Sequence, residues 1–143
     1  MDYYISKKLQ SNFDYAVEFI KESLKIEGFG ILSEINIHEK LNEKLGINLR
    51  KYKILEACNF SYAYEVLQKE DKSGILLLCS VIVQELNPYE IEVVAIDPVA
   101  LIQLVKKDEL IDIAREIRNK LNNAIKSLEN RTRSDHYISE YYI

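Results

Sequence analysis

Several residue types are scarce in this chain, and their scarcity excludes whole classes of protein. The 143 residues contain no Trp, two Pro, four Gly and two Cys. Two cysteines are too few for a disulfide-rich scaffold, and no spacing of Cys and His matches a zinc site. No apolar run approaches the ~20 residues that a transmembrane helix needs. We therefore expect no membrane association, no bound metal and no disulfide framework.

Basic charge is also scarce relative to acidic charge. The chain has 19 Lys and Arg against 23 Asp and Glu, which gives a net charge of -4 and a pI near 5.3. Nonspecific nucleic-acid binding needs clustered basic side chains that release counterions, and the densest basic stretch, residues 50–53, is short. We therefore expect no nucleic-acid partner. The first residues lack the pattern of a secretory signal, so the expected location is cytoplasmic, where thiols stay reduced.

The apolar content, 48% of the residues, is enough for one domain with a real core. Regular periodicity continues to about residue 130, so we predict a single domain over residues 1–130. Residues 131–143 hold three of the ten Tyr and one of the two His, with no helical period. This C-terminal tail is either native or derived from an expression vector, and no function is assigned to it.

Hydrophobic periodicity predicts strands and helices in the order β-α-β-α-β-α-β-β-α-α. The predicted strands cover residues 2–9, 31–35, 52–57, 75–83 and 91–96. The predicted helices run from Ser11 to Gly28, over 37–45 and 60–70, from Asp97-Pro98 onward, and over 108–129. Interleaved helices combined with a tight hairpin at Asn87-Pro88 predict an α+β fold, a two-layer α/β sandwich with helices on a mixed sheet.

Three local patterns carry further predictions. Residues 75–83 are almost continuously apolar, which is typical of a central strand buried on both faces. Ser11 precedes the first helical repeat and is the predicted N-cap of that helix. In the helix over residues 60–70, Ala63, Val66 and Leu67 are predicted to face inward.

The pair Cys58-Asn59 is the first candidate for chemistry. It falls where a strand ends and a helix begins, and the free N–H groups of a helix start stabilise an anion. A thiol at that position can have a lowered pKa and act as a nucleophile. The alternative is structural: Cys is often buried, and Asn often caps helices.

The remaining candidates are Cys79 and the carboxylates of Glu34, Glu56 and Asp97. Cys79 lies inside the apolar stretch, where its simplest role is core packing. If the strand that carries Cys58 is a neighbour in the sheet, the thiols of Cys58 and Cys79 could instead lie close together. A buried carboxyl can be a general acid or base. Alternatively, Asp97 caps the helix that follows it, and Glu34 and Glu56 lie on a solvated face. No motif points to a cofactor.

Several segments together resemble the family called domain of unknown function 302. The resemblance begins at residues 27–35 (EGFGILSEI) and continues at 44–47 (KLGI) and 52–59 (YKILEACN). Residues 76–79 (LLLC) and 95–98 (AIDP) follow in the same order. The similarity spans about residues 1–128, and its specificity comes from the series rather than from any one segment.

The resemblance implies a small α/β domain that pairs as a homodimer, and it implies no reaction. Both cysteines match recurring cysteines of the family. Phe60, Leu78 and Ser80 stand where the family commonly has Pro, Pro and Asn, so a pocket shaped by those residues is altered in this chain.

The sequence therefore leads to two hypotheses about function. The first is a homodimer that binds a small-molecule ligand or a protein partner near Cys58, Asn59 and Cys79, with Glu34 and Asp97 as further candidate site residues. The second is a thiol-dependent redox or sulfur-transfer protein that uses Cys58.

Overall fold

A computed structural model describes residues 2–130, which form one five-stranded sheet with helices packed on it. The strands are β1 (Tyr4–Gln10), β2 (Phe29–Asn36), β3 (Tyr52–Asn59), β4 (Cys79–Asn87) and β5 (Glu90–Ile96). The helices are α1 (Phe13–Ile26), α2 (Ile37–Leu45), α3 (Phe60–Lys69), α4 (Pro98–Ile102) and α5 (Asp108–Lys126). A 3₁₀ segment (Asp71–Leu76) separates α3 from β4. The predicted tail, residues 131–143, lies outside the described residues.

The α+β two-layer class and the element order are confirmed, but the sheet is not mixed. Its strand order is β1-β5-β4-β3-β2, and every neighbouring pair is antiparallel. The helical connections explain this result. The connection through α1 joins strands at opposite edges of the sheet, and those through α2 and α3 join neighbours that run in opposite directions, so no parallel pair arises.

One face of the sheet carries the main core. The side chains on this face alternate with those on the other, because successive residues of a strand point to opposite sides. Helix α1 and the C-terminal half of α5 cover this face. The fully buried members of the main core with the largest side chains are Ile20, Leu24, Leu55, Val81, Val83, Ile91, Val93, Leu121 and Leu128.

The opposite face of the sheet carries an apolar row, which we call the open-face row. It consists of Ile35, Ile54, Ile82 and Val94, which are direct cross-strand neighbours from β2 to β5. All four are only half-buried, and none belongs to the clusters that the helices form with the sheet. The sheet is therefore apolar on both sides, and its main core with the helices lies on one of them.

The predicted strand over residues 75–83, buried on both faces, was wrong in two respects: the strand begins later, and it is fully buried on one face only. β4 begins only at Cys79, and Ile75 is 89% exposed in the 3₁₀ segment. Glu70 begins that segment, because its side chain accepts a hydrogen bond from Lys72 N and its carbonyl accepts one from Ser73 Oγ. Along β4, buried and half-buried residues alternate, as expected for a strand covered by helices on one face.

Of the predictions made for Ser11, Asp97 and Leu67, one is confirmed and two were wrong. Asn12, not Ser11, caps α1, and its Oδ1 accepts a hydrogen bond from Tyr15 N. Ser11 is instead fully buried, and its backbone N–H binds the carbonyl of Tyr89. The predicted cap at Asp97 is confirmed. In α3, Leu67 is 42% exposed and does not face inward.

Gly28 makes the turn from α1 into β2, where the sequence predicted the helix to end. Its φ is +91°, a conformation that residues with a Cβ adopt only with strain. A Cβ at this position would also lie 3.3 Å from Asn59 Nδ2. The turn therefore depends on glycine for its backbone and for its close contact with the end of β3.

We predict that Gly28→Ala lowers the free energy of unfolding by about 1–2 kcal/mol, the typical strain of an L-residue in this backbone region. Gly74→Ala is the matched control, because Gly74 has a normal φ and no atom within 4 Å of its added Cβ. Urea unfolding of both variants measures the difference. Equal stabilities for the two variants would contradict this account of the turn.

Candidate functional site

A cavity lies at the end of the sheet where β3 and β5 finish and β4 begins. These ends meet because the three strands are neighbours and antiparallel. The N-terminal half of α5 extends past this end and forms a second apolar cluster with α3 and α4. The buried residues of this cluster are Val66, Val99, Ile102, Leu110, Ile113 and Ala114.

The walls of the cavity are mostly apolar. About 570 Å³ of space lies between its lining atoms and opens in part to solvent, and about 50 Å³ of this can hold the centre of a water-sized molecule. The apolar walls come from α3, the 3₁₀ segment, α4 and α5. The residues with polar side-chain atoms in the lining are Asn59, Tyr62, Ser73 and Cys79. A concave, apolar site with few polar groups is the usual form of a small-molecule site.

Asn59 is buried at the end of β3 and lines the cavity, with 7% of its surface exposed. It occupies the N-cap position of α3, but its side chain makes no capping hydrogen bond. Instead, Asn59 Nδ2 donates to the carbonyl of Glu27 at 3.2 Å. The side chain thus fixes the α1–β2 turn rather than the start of α3.

Cys79 lines the same cavity from the first position of β4. Its thiol faces the helix-covered side of the sheet, with Ala57 as its cross-strand partner. Burial raises the pKa of Cys79 to about 12, and the nearby Cys58 and Glu56 add smaller effects in the same direction. The thiol is therefore protonated at neutral pH and contributes a neutral, weakly polar wall.

Cys58 lies beside this site in sequence but on the other side of the sheet. The residue before it, Ala57, pairs with Cys79, so the side chain of Cys58 points to the opposite face. Its cross-strand partner is Gly30, where an added Cβ would lie 2.5 Å from the ring of Phe60. Strands β3 and β4 are neighbours, as one hypothesis required, yet the two thiols are free and face opposite ways.

The pKa of Cys58 moves in the direction opposite to that expected for a nucleophile. Burial raises the pKa of this thiol above its usual value, because an apolar environment disfavours the thiolate.

Glu34 lies outside the cavity. Its carboxylate binds Lys21 Nζ at 2.9 Å and Lys53 Nζ at 3.3 Å, and the hydrogen bond from Lys21 is the main cause of its lowered pKa. On β2 it is five residues from Phe29, the partner of Asn59, a distance of about 17 Å along a strand. Glu34 is exposed, as the alternative of a solvated face has it, and it is also paired with two lysines.

Asp97 lies at the edge of the site and has a structural role. Its Oδ1 accepts a hydrogen bond from Val99 N at 2.9 Å, and its Oδ2 lies 3.2 Å from Arg118 Nε on α5. These contacts fix α4 against α5 and place Pro98, which lines the cavity. Glu56, the remaining candidate carboxylate, accepts a hydrogen bond from Ser80 Oγ on the opposite face of the sheet.

Sequence reasoning missed most of the cavity wall. Ser73 and Leu76 belong to the 3₁₀ segment, and an ion pair between Glu70 and Lys107 joins the start of that segment to the start of α5. The available signal was the apolar surplus of residues 98–102 and 110–117. Such a surplus is also typical of an ordinary core, and nothing in it indicates a gap in the packing.

Within residues 2–130, no group of three or more His, Cys, Asp or Glu side chains is arranged to hold a metal ion. No helix in this part of the chain has the length and apolar character to span a bilayer.

Comparisons with known proteins agree with this architecture. Residues 5–128 match the model of the family described as Domain of unknown function DUF302. The crystal structure of an uncharacterized conserved protein DUF302 from Bacillus stearothermophilus is similar, with a TM-score of 0.82 and 28% sequence identity. The similarity covers 88% of this chain and 98% of that one. No curated protein matches the chain.

We predict that both thiols of the folded protein react slowly with iodoacetamide at pH 8. A pKa of about 12 leaves Cys79 at least about 100-fold less thiolate than a free thiol with a pKa near 8.5. Mass spectrometry of each cysteine peptide measures the rates, with the protein in 6 M guanidinium as the control. Fast modification of Cys58 in the folded state would contradict the raised pKa.

Proposed function

The chain belongs to the DUF302 family, as the sequence resemblance predicted, and from this premise we propose that it is a homodimeric domain that binds a small molecule. The cavity at the end of the sheet is the proposed site. Asn59 and Cys79 are its polar residues nearest the sheet, and Asp97 positions its α4 wall.

The observation that carries this proposal is an apolar gap, open in part to solvent, between buried side chains at the end of the sheet. Protein interiors are packed to the density of organic crystals, with few voids larger than a water molecule. The side chains around the cavity are nonetheless buried, including Val66, Ile102 and Leu110. An apolar gap of this kind does not contribute to the stability of the fold, and it can bind an apolar ligand.

The thiol mechanism has less support than ligand binding. A nucleophilic cysteine needs a low pKa and access to its substrate, whereas Cys58 is buried and its pKa is raised. A disulfide would need the two thiols on one face of the sheet. Cytoplasmic location is retained as part of the proposal, because both cysteines are free and a reducing compartment keeps them so.

The proposed homodimer uses the open-face row as its interface. Ile35, Ile54, Ile82 and Val94 form a continuous apolar row in the middle of the sheet, where no helix belonging to either apolar cluster covers them. A second copy presents the same row, so a two-fold axis through the sheet buries both rows against each other. The cavity lies at the end of the sheet, so this pairing leaves the cavity available.

For ligand binding, we predict that hexan-1-ol shifts the backbone amide signals around the cavity in ¹H–¹⁵N spectra. Ala63→Leu fills part of the cavity and is expected to weaken binding by about tenfold, equal to about 1.4 kcal/mol. Ala100→Leu is the matched control, because Ala100 is also a half-buried helical alanine but does not line the cavity. Equal affinities in the two variants, or shifts spread over the whole surface, would refute the proposed site.

For the homodimer, we predict that light scattering gives twice the chain mass of 16.7 kDa and that Ile82→Lys converts the protein to a monomer. A charged residue at the centre of an apolar interface is desolvated without a partner. Ile26→Lys is the control, because Ile26 is 80% exposed at the end of α1. A wild-type mass of one chain at every concentration, or a dimer that survives Ile82→Lys, would contradict this interface.

A further inference from the structure

We propose that the cavity selects uncharged, mainly apolar molecules that carry one hydrogen-bond donor, such as a hydroxyl or an N–H group, and that Asn59 Oδ1 accepts this donor. The inference rests on the proposed ligand-binding function and goes beyond it by naming the chemical class of ligand.

The absence of charge from the cavity lining excludes charged ligands. None of the fifteen lining residues is Asp, Glu, Lys, Arg or His. A charge moved from water into such a site without a partner costs far more than an apolar contact returns. The nearest ion pairs, Asp97 with Arg118 and Glu70 with Lys107, are already satisfied within the protein.

The orientation of the Asn59 amide is fixed by the chemistry of its partner. A backbone carbonyl can only accept a hydrogen bond, so the group of Asn59 that meets the Glu27 carbonyl must be Nδ2. This leaves Oδ1 as the unused group. Within residues 2–130 it has no hydrogen-bond partner, although the residue is 93% buried, as its 7% exposure shows.

A buried acceptor without a partner is unusual in a folded protein and calls for a partner from outside the chain. Asn59 also lines the cavity, and the proposal places the donor of the ligand at its Oδ1. Leaving Oδ1 unpaired costs free energy on the scale of one lost hydrogen bond. A ligand that donates a hydrogen bond to Oδ1 removes this cost.

The other polar groups of the cavity have already used their donors. Ser73 Oγ donates to the Glu70 carbonyl at 2.6 Å, which leaves only its lone pairs. Burial raises the pKa of Tyr62 and the neighbouring Glu116 carboxylate raises it further, so the hydroxyl keeps its proton next to a group that only accepts hydrogen bonds and competes for that proton. Cys79 offers a thiol, which is a weak donor.

The cavity therefore presents acceptors and lacks strong donors. A ligand whose only polar atom is an ether or carbonyl oxygen loses its hydrogen bonds to water and regains none. An alcohol of the same size keeps one hydrogen bond and also satisfies Oδ1. The two ligands differ by one hydrogen bond, so their affinities differ by about 3- to 10-fold.

The test compares two isomers, hexan-1-ol and methyl pentyl ether, which have the same atoms but differ in the presence of a donor. We expect the alcohol to bind the native chain about 3- to 10-fold more tightly than the ether, as measured by titration in ¹H–¹⁵N spectra that include the Asn59 side-chain amide. Hexanoate at neutral pH is expected to cause no shift at the cavity amides.

Asn59→Leu removes the acceptor and is expected to make the affinities of alcohol and ether equal. The ratio within one variant is compared, so a general loosening of the cavity cancels. If this variant does not fold, the isomer comparison on the native chain still decides the question. Ether binding as tight as alcohol binding would overturn the donor preference while leaving ligand binding intact, whereas no shift with either isomer would overturn the proposed function itself.

Discussion

Helix α5 is buried along its whole length against two different partners, and the other features of the molecule depend on this. Its C-terminal half packs on the sheet through Leu121, Ala124 and Ile125. Its N-terminal half passes the end of the sheet and packs on α3 and α4 through Leu110, Ile113 and Ala114. Ile117 contacts both clusters. One amphipathic stripe therefore builds both the core and the cavity wall.

The overhang of α5 explains why the cavity exists where it does. Past the end of the sheet, α5 has no strand to pack on, and α3 is joined there only by two short elements. Helix α4 has five residues and the 3₁₀ segment has six. The contacts of Asp97 with Arg118 and of Glu70 with Lys107 hold these elements at the helix, but polar contacts at the rim do not fill the space behind it. Packing is therefore complete against the sheet and incomplete beyond it.

Much of the fold could be predicted from local patterns, because those patterns act over a few residues. The cap at Asp97 with Pro98 beside it, the hairpin at Asn87-Pro88 and the stripe of α5 all depend on neighbours in sequence. The antiparallel pairing of every strand could not be predicted, because it depends on which strands become neighbours across long connections. The same limit applied to residues 75–83, whose apolar composition suits a buried strand and a cavity wall equally well.

For the candidate site too, the sequence could identify candidate residues but could not predict which of them lie together. Position along the predicted strands identified Asn59 and Cys79, which the structure brings to one cavity, and also Cys58 and Glu34, which it places elsewhere. The period of two along a strand separates Cys58 from Asn59, although they are adjacent in sequence. Which of the two shares a face with Cys79 could be known only once Ala57 was known to pair with Cys79.

Asn59 connects the structural and functional arguments, because one side chain serves both. Its donor is committed to the Glu27 carbonyl, and that bond is possible only because Gly28 brings the turn close to the end of β3. The same bond prevents the amide from rotating, so its acceptor is held in one position before any ligand arrives. A group that is fixed in advance loses little conformational entropy on binding. The turn between α1 and β2 therefore supports the proposed binding site through Asn59, although the turn itself does not line the cavity.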